Sequence, residues 1–178
     1  MNNELTPDGN VNWFAMRIKT GWEKRVAESV EGKGFEGFLP TYQSRRRWSD
    51  RFQTVEMPLF PGYMFCRLDP TRRLPLLQIP GVQHFVGIAK VPVAVEESEI
   101  AAILRTVQSG LFAEPWPFMK VGDRVRVEYG PLTGLEGLFI EVKKGHRIVV
   151  SVNLLMRSVA VEIERDWVKP IDTVRRVA

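Results

Sequence analysis

The segment whose residue types are best suited to recognition chemistry is Phe60-Pro61-Gly62-Tyr63-Met64-Phe65. Aromatic rings exposed in a cluster release water when a partner covers them, so such a cluster is typical of a protein-binding surface. The same rings alternate along a predicted strand and could instead fill one face of a sheet as core. Alternation does not say which face is covered, so both interpretations stay open.

A second segment, residues 125–137, reads as a strand, a Gly130-Pro131 turn and another strand. Gly130, Pro131 and Gly137 have structural roles here, because a tight turn and a crowded backbone position favour these residue types. Neither segment contains a nucleophile, a metal-binding cluster or a phosphate loop. Together the two segments indicate small adaptor modules that contact other macromolecules.

The residues required for catalysis are sparse. The chain has one cysteine, Cys66, in an apolar strand typical of a buried structural thiol, and two distant histidines, His84 and His146. Three aspartates lie at predicted caps and turns without a histidine or serine motif beside them: Asp69, Asp123 and Asp166. Acid–base or nucleophilic catalysis needs convergent polar groups. We therefore expect no catalytic site, no metal site and no cofactor.

Composition and charge further limit the class of protein to which this chain can belong. The 178 residues carry a net charge of +4, and residues 11–109 hold the excess, with 14 Lys and Arg against 10 Asp and Glu. A mildly basic protein is able to contact nucleic acid, but this balance does not require it. No apolar run approaches the ~18 residues of a membrane helix, and residues 1–10 lack the apolar stretch of a signal peptide. We expect a cytoplasmic monomer with no membrane contact.

The first half alternates strands and helices. Residues 11–20 predict a strand, and Thr20 and Glu23 fit a capping box that starts a helix. A hairpin with a basic tip follows over residues 37–59, and strand 63–68 leads into a short helix that starts at Asp69-Pro70. Residues 96–108 predict the clearest helix.

The second half predicts only strands, at residues 124–129, 135–142, 147–152, 158–163 and 167–168, a spacing typical of a small barrel. We divide the chain into a disordered tail (1–10), a first domain (11–109), a linker (110–120), a barrel domain (121–171) and a second tail (172–178). The linker is unusually apolar, so we expect it to pack on a domain.

This order of elements resembles the NusG family of transcription elongation and antitermination factors. The resemblance spans Trp13 to Ile171 and depends on the Phe-Pro-Gly-Tyr strand and on the later β module, which is similar to a KOW motif. It implies an α+β fold: an antiparallel sheet with flanking helices, of the NGN type, followed by a five-stranded KOW β-barrel.

The resemblance also implies a function without chemistry. Factors of this family bind the clamp of RNA polymerase through an apolar patch on the first domain and favour processive elongation. Here that patch would use Phe60, Tyr63 and Phe65, with Pro61 and Gly62 shaping the backbone. A factor that binds the closed clamp more tightly than the open one raises the population of the closed state.

The basic residues fit a role at upstream or non-template DNA in such a complex. One group surrounds the first strand end and first helix, and the other lines the hairpin: Arg17, Lys19, Lys24, Arg25, Arg45, Arg46, Arg47 and Arg51. A solvated basic hairpin explains the second group equally. Trp48 among the arginines favours nucleic acid, since an indole stacks on an unpaired base.

In family members the loop before the fourth barrel strand contacts the termination factor Rho or a small-subunit ribosomal protein. That loop is Leu154-Leu155-Met156-Arg157 here, where general NusG proteins carry a Phe-Gly pair. The altered loop and the basic hairpin suggest a specialised branch resembling RfaH, although the Val- and Ile-rich barrel predicts stable strands. The alternative is a KOW-type RNA-binding or ribosome-associated protein, which a near-neutral second half disfavours.

Overall fold

The computed structural model describes residues 11–48, 51–116, 118, 123–142 and 145–171. Both predicted tails lie outside the described residues. The chain forms two compact units: Met1–Leu39 with Pro61–Glu97, and Pro40–Phe60 with Ser98–Ala178. These boundaries differ from the predicted division at 110–120, because the basic hairpin and the third helix group with the barrel. No helix within the described ranges has the length and apolar character needed to cross a bilayer.

The first unit is an antiparallel sheet with two helices. Its elements in chain order are β1 (Asn12–Ile18), α1 (Glu23–Gly32), β2 (Glu36–Phe38), β5 (Tyr63–Leu68), α2 (Leu74–Leu77), β6 (Val82–Phe85), β7 (Gly87–Ile88), β8 (Val91–Pro92) and β9 (Ala94–Val95). The strand order is β2-β5-β1-β6, and β9 also pairs with β1. The predicted strands at 11–20 and 63–68 are confirmed, and so is the cap by Asp69 with Pro70 following it.

One face of this sheet packs against the helices. Alternation in β1 and β5 sends Phe14, Met16, Met64 and Cys66 into a core with the α1 residues Val26 and Val30 and the α2 residue Leu76. Val26 and Val30 are fully buried, as their four-residue spacing predicted. Burial raises the pKa of the Cys66 thiol to about 12. The thiol is therefore a protonated part of the core at neutral pH.

The second unit contains a hairpin, a helix and a six-stranded antiparallel sheet. The hairpin is β3 (Thr41–Trp48) with β4 (Arg51–Pro58), and the helix is α3 (Glu97–Gln108). The sheet strands are β10 (Ala113–Trp116), β11 (Asp123–Val127), β12 (Glu136–Val142), β13 (Gly145–Val152), β14 (Arg157–Ile163) and β15 (Val168–Pro170). All five predicted barrel strands are present, in the order β14-β13-β12-β11-β15.

Two predictions about local structure were wrong. The segment 110–120 is not only a linker, because its residues 113–116 form strand β10 on β14, with Pro115 opposite Val159. The predicted capping box between Thr20 and Glu23 is also absent. Helix α1 begins after Trp22 with no side-chain cap, and the Glu23 carboxylate bonds to other amides.

Candidate docking and nucleic-acid surfaces

The Pro61-Gly62 turn is fixed by the carboxylate of Glu23, a side chain that is only 6% exposed. Glu23 Oε1 accepts a hydrogen bond from the Gly62 amide at 3.0 Å, and Oε2 accepts one from the Gly21 amide at 2.7 Å. The Ile18 amide donates to the Gly62 carbonyl at 2.8 Å. Helix α1 and strand β1 therefore hold one turn from both sides, and charge-assisted hydrogen bonds make that support strong.

Only glycine fits the centre of this turn. Gly62 has a φ of +77°, and a β-carbon there would lie 2.8 Å from Arg17 Nη1 and 3.3 Å from the Ile18 carbonyl oxygen. The Arg17 guanidinium in turn lies over the Tyr63 ring, 4.6 Å from its centroid. Arg17, Gly62 and Tyr63 thus form one ordered surface element, since the cation and the ring limit each other's freedom.

The expectation of an exposed aromatic patch is wrong for two of its three rings. Phe60 is 1% exposed and Phe65 is fully buried, whereas Tyr63 is half-buried and Pro61 is exposed. Phe65 lies on the sheet face opposite the helices, beside Phe38 at a centroid distance of 6.1 Å. The accessible part of the segment is therefore Pro61 and Tyr63. Whether the segment contacts a polymerase stays a prediction.

The basic hairpin is built differently. Arg45 is exposed, and its guanidinium lies 4.5 Å from the centroid of the Phe52 ring, which is itself 61% exposed. The backbones of Arg46, Arg47 and Arg51 lie in the paired strands, and their side chains are outside the described residues, as is that of Trp48. The hairpin thus carries an accessible cation beside an accessible ring.

The other predicted basic group surrounds Trp22. Lys19 Nζ lies 5.5 Å and the Arg25 guanidinium 5.7 Å from the centroid of its ring. Lys19, Lys24 and Arg25 are all exposed. Arg17, by contrast, is committed to Tyr63. The structure thus assembles Lys19, Trp22 and Arg25 and assigns Arg17 to the neighbouring turn.

The predicted partner loop has one buried and two exposed side chains at its end. Leu155 is 7% exposed, Met156 is 54% exposed with a left-handed φ of +50°, and Arg157 is exposed. Leu154 is half-buried. Glu99 of α3 accepts hydrogen bonds from the Asn153 amide at 3.1 Å and from Asn153 Nδ2 at 2.6 Å, which fixes the start of the loop.

Two of these residues escaped the sequence analysis. Glu23 was assigned to a local cap, and nothing in the local pattern points to Gly62, which is 39 residues away. The alternating pattern places Phe52 in a strand, and the signal for its role is an aromatic residue close to a run of arginines. Within the described ranges, no group of three or more His, Cys, Asp or Glu side chains is placed to hold a metal ion.

Comparison with known protein families identifies one that matches this chain. Residues 11–104, more than half of the chain, match the family model described as "Transcription termination factor nusG". The chain therefore belongs to the NusG family of transcription termination and antitermination factors.

Individual relatives agree with this assignment. The chain is 25% identical to the transcription termination/antitermination protein NusG of Helicobacter pylori, over 90% of this chain and 99% of that one. It is 29% identical to the NusG of Pseudomonas aeruginosa, over 89% and 98%. A solved structure of Thermotoga maritima NusG, described for its domain interaction, shares the fold with a TM-score of 0.57 and 24% identity, over 92% and 98% of the two chains.

Proposed function

We propose that this chain binds the clamp of RNA polymerase through its first unit and contacts a second partner through its barrel. The contact surface on the first unit is the Pro61-Gly62-Tyr63 turn, and the buried rings of Phe60 and Phe65 anchor the chain on either side of it. The observation that carries this proposal is the double support of the turn by Glu23 and Ile18. A surface that is ordered before binding loses little entropy when a partner docks on it.

The mode of action is a shift in the population of clamp states. A factor that binds the closed clamp more tightly stabilises it by the difference between its two affinities. Such an action needs no proton transfer or bond cleavage by the factor. It is therefore compatible with the absence of catalytic motifs from the sequence.

The exposed cations supply a secondary contact with upstream or non-template DNA. Lys19 and Arg25 beside Trp22, and Arg45 beside Phe52, pair a positive charge with an aromatic ring. Cations neutralise phosphates, and rings stack on unpaired bases. Arg46, Arg47 and Arg51 of the same hairpin and Lys24 of the same helix are proposed as further phosphate contacts because of their positive charge.

The barrel recruits its partner, a small-subunit ribosomal protein or Rho, through the end of the partner loop. Met156 offers a flexible apolar side chain and Arg157 a neighbouring charge, whereas buried Leu155 shapes the loop. A flexible thioether adapts to irregular partner surfaces. Met156→Ala is expected to weaken binding to that partner without affecting the affinity for polymerase.

The polymerase contact is tested by comparing two tyrosine variants. Tyr63→Ala removes the half-buried ring of the turn, and Tyr129→Ala removes a ring on the barrel that is 60% exposed. We expect the Tyr63 variant to bind core RNA polymerase about tenfold more weakly, as truncating an anchor residue does, and Tyr129→Ala to bind like the original chain. Equal affinities for both variants, with both folded by circular dichroism, would reject the turn as the contact surface.

A further inference from the structure

An open cavity of about 300 Å³ lies in the second unit, where β13 begins and β14 ends. Its wall combines two aromatic residues, Phe112 and Trp167, with two glutamates, Glu162 and Glu164, and with His146. This volume is at the low end of the range for ligand sites, so it suits a single side chain better than a large cofactor. None of the residues that line the cavity belongs to the turn, the hairpin or the partner loop.

Glu162 and Glu164 differ from the paired glutamates of this barrel. Its other carboxylates include Glu114, paired with Arg147, Glu136, paired with Arg126, and Glu128, paired with Lys169. Among the described residues, neither the Glu162 nor the Glu164 side chain has an ion-pair or hydrogen-bond partner. Glu164 precedes the 3-10 helix Arg165–Trp167, yet its side chain does not cap that helix. Both carboxylates are thus available to an external cation.

The backbone holds the aromatic side of the cavity in place. The Glu162 amide donates a hydrogen bond to the Phe112 carbonyl at 2.9 Å, which joins the segment before β10 to β14. Trp167 packs against Gly130, where an added β-carbon would lie 2.6 Å from the ring. Phe112 remains 46% exposed. An aromatic surface of fixed position therefore lies beside the two carboxylates.

The same barrel already binds one guanidinium in this way. The Arg147 guanidinium lies 5.3 Å from the Trp116 ring centroid and 5.8 Å from that of Phe112, and it pairs with Glu114. One carboxylate and two rings are thus sufficient for an internal arginine. Phe112, which Arg147 also approaches, and Trp167, Glu162 and Glu164 bring the same kinds of group together around the cavity.

We propose that this cavity binds an arginine side chain of a partner protein. A guanidinium is planar, stacks on aromatic faces and donates paired hydrogen bonds to carboxylates, so it matches both kinds of group on the wall. Two carboxylates disfavour the phosphate backbone of nucleic acid. The assignment gives the barrel a second contact point, on top of the partner loop, and it does not depend on polymerase binding.

The test uses the full chain and a blocked Gly-Ser-Arg-Ser-Gly peptide, with backbone amide chemical shifts as the measurement. The control peptide replaces arginine by citrulline, which keeps the shape and removes the charge. We expect the arginine peptide to shift the amides of residues 111–112, 145–146 and 162–167 in a saturable way below roughly 10 mM. The citrulline peptide should leave them unchanged.

A pair of variants identifies the carboxylates. Glu162→Gln with Glu164→Gln should weaken binding of the arginine peptide by about tenfold or more. Glu28→Gln with Glu31→Gln, which removes two exposed carboxylates from α1, should leave the affinity unchanged. The proposal is overturned if the arginine peptide gives no saturable shift, shifts the amides of another surface, or binds no better than the citrulline peptide. It is also overturned if the variant lacking the Glu162 and Glu164 carboxylates keeps full affinity.

Discussion

The Pro61-Gly62 turn and the basic hairpin both follow from short sequence signals, but their construction is opposite. The turn joins a buried carboxylate, two strands and a helix, and the residues around it include the fully buried Phe65. The hairpin consists of two paired strands whose described ring, Phe52, is 61% exposed. The turn is a fixed surface, whereas the hairpin is a surface whose side chains remain accessible.

This difference separates two kinds of recognition. A fixed turn suits a partner of fixed shape, since little ordering entropy is lost on binding. Accessible cations beside rings suit a charged partner whose position varies, because attraction to phosphates tolerates changes of register. We therefore expect mutations at the turn to affect stability as well as binding, and mutations at the hairpin to affect binding alone.

Replacing phenylalanine by alanine next to the turn and in the hairpin should give the largest difference in the free energy of unfolding. Phe65→Ala removes a fully buried ring and should lower the free energy of unfolding by about 4 kcal/mol. Phe52→Ala removes an exposed ring and should change it by less than about 0.5 kcal/mol. Urea denaturation followed by circular dichroism measures both values. Equal losses at the two positions would contradict the assignment of Phe65 to the core.

Glu23→Ala should give the next largest loss in the free energy of unfolding. It leaves the buried Gly62 amide without an acceptor and removes the partly buried bond to the exposed Gly21 amide, and we expect a loss of about 3 kcal/mol. Glu23→Gln retains one acceptor oxygen and should lose less. Glu28→Ala, on the exposed side of the same helix, is the control and should stay within about 0.5 kcal/mol of the original chain. A Glu23→Ala loss no larger than that of the control would show that the carboxylate does not stabilise the turn.

Gly62→Ala separates backbone strain from crowding. Gly62 and Gly34 have nearly the same φ, +77° and +78°, but an added β-carbon meets Arg17 and Ile18 only at Gly62. Gly34→Ala should lower stability by about 1 kcal/mol through strain alone. We expect about 2 kcal/mol for Gly62→Ala because the close approach to the Ile18 carbonyl oxygen adds to strain, whereas the end of the Arg17 side chain is able to move aside. Equal melting temperatures of the two variants would show that the close approach of the Ile18 carbonyl oxygen adds nothing to the strain.

The smallest expected effect is at the hairpin. Arg45→Ala should leave stability unchanged and reduce the slope of log affinity for single-stranded DNA against log salt by about 1. Arg165→Ala, an exposed arginine of the barrel, should keep the original slope. Fluorescence anisotropy at several salt concentrations gives both slopes. An unchanged slope for Arg45→Ala would favour the solvated hairpin that the sequence left open.

Local patterns predicted elements well and contacts poorly. The strands, the Val26 and Val30 stripe and the Asp69 cap depend on neighbouring residues, and all are confirmed. The burial of Phe65 depends on which sheet face the rest of the chain covers, and alternation contains no information on that. Strand β10 was missed because Pro115 opposes a strand assignment, yet β10 lies at the end of the strand order, where an edge strand tolerates proline.

The proposed docking of the turn is tested most directly by photo-cross-linking. A photoreactive amino acid replaces exposed Pro61 in one version of the full chain and exposed Lys33, at the end of α1, in another. Each is irradiated in complex with core RNA polymerase. We expect a cross-link to the largest polymerase subunits from position 61 and none from position 33. A cross-link from position 33 alone, with both variants bound, would contradict it.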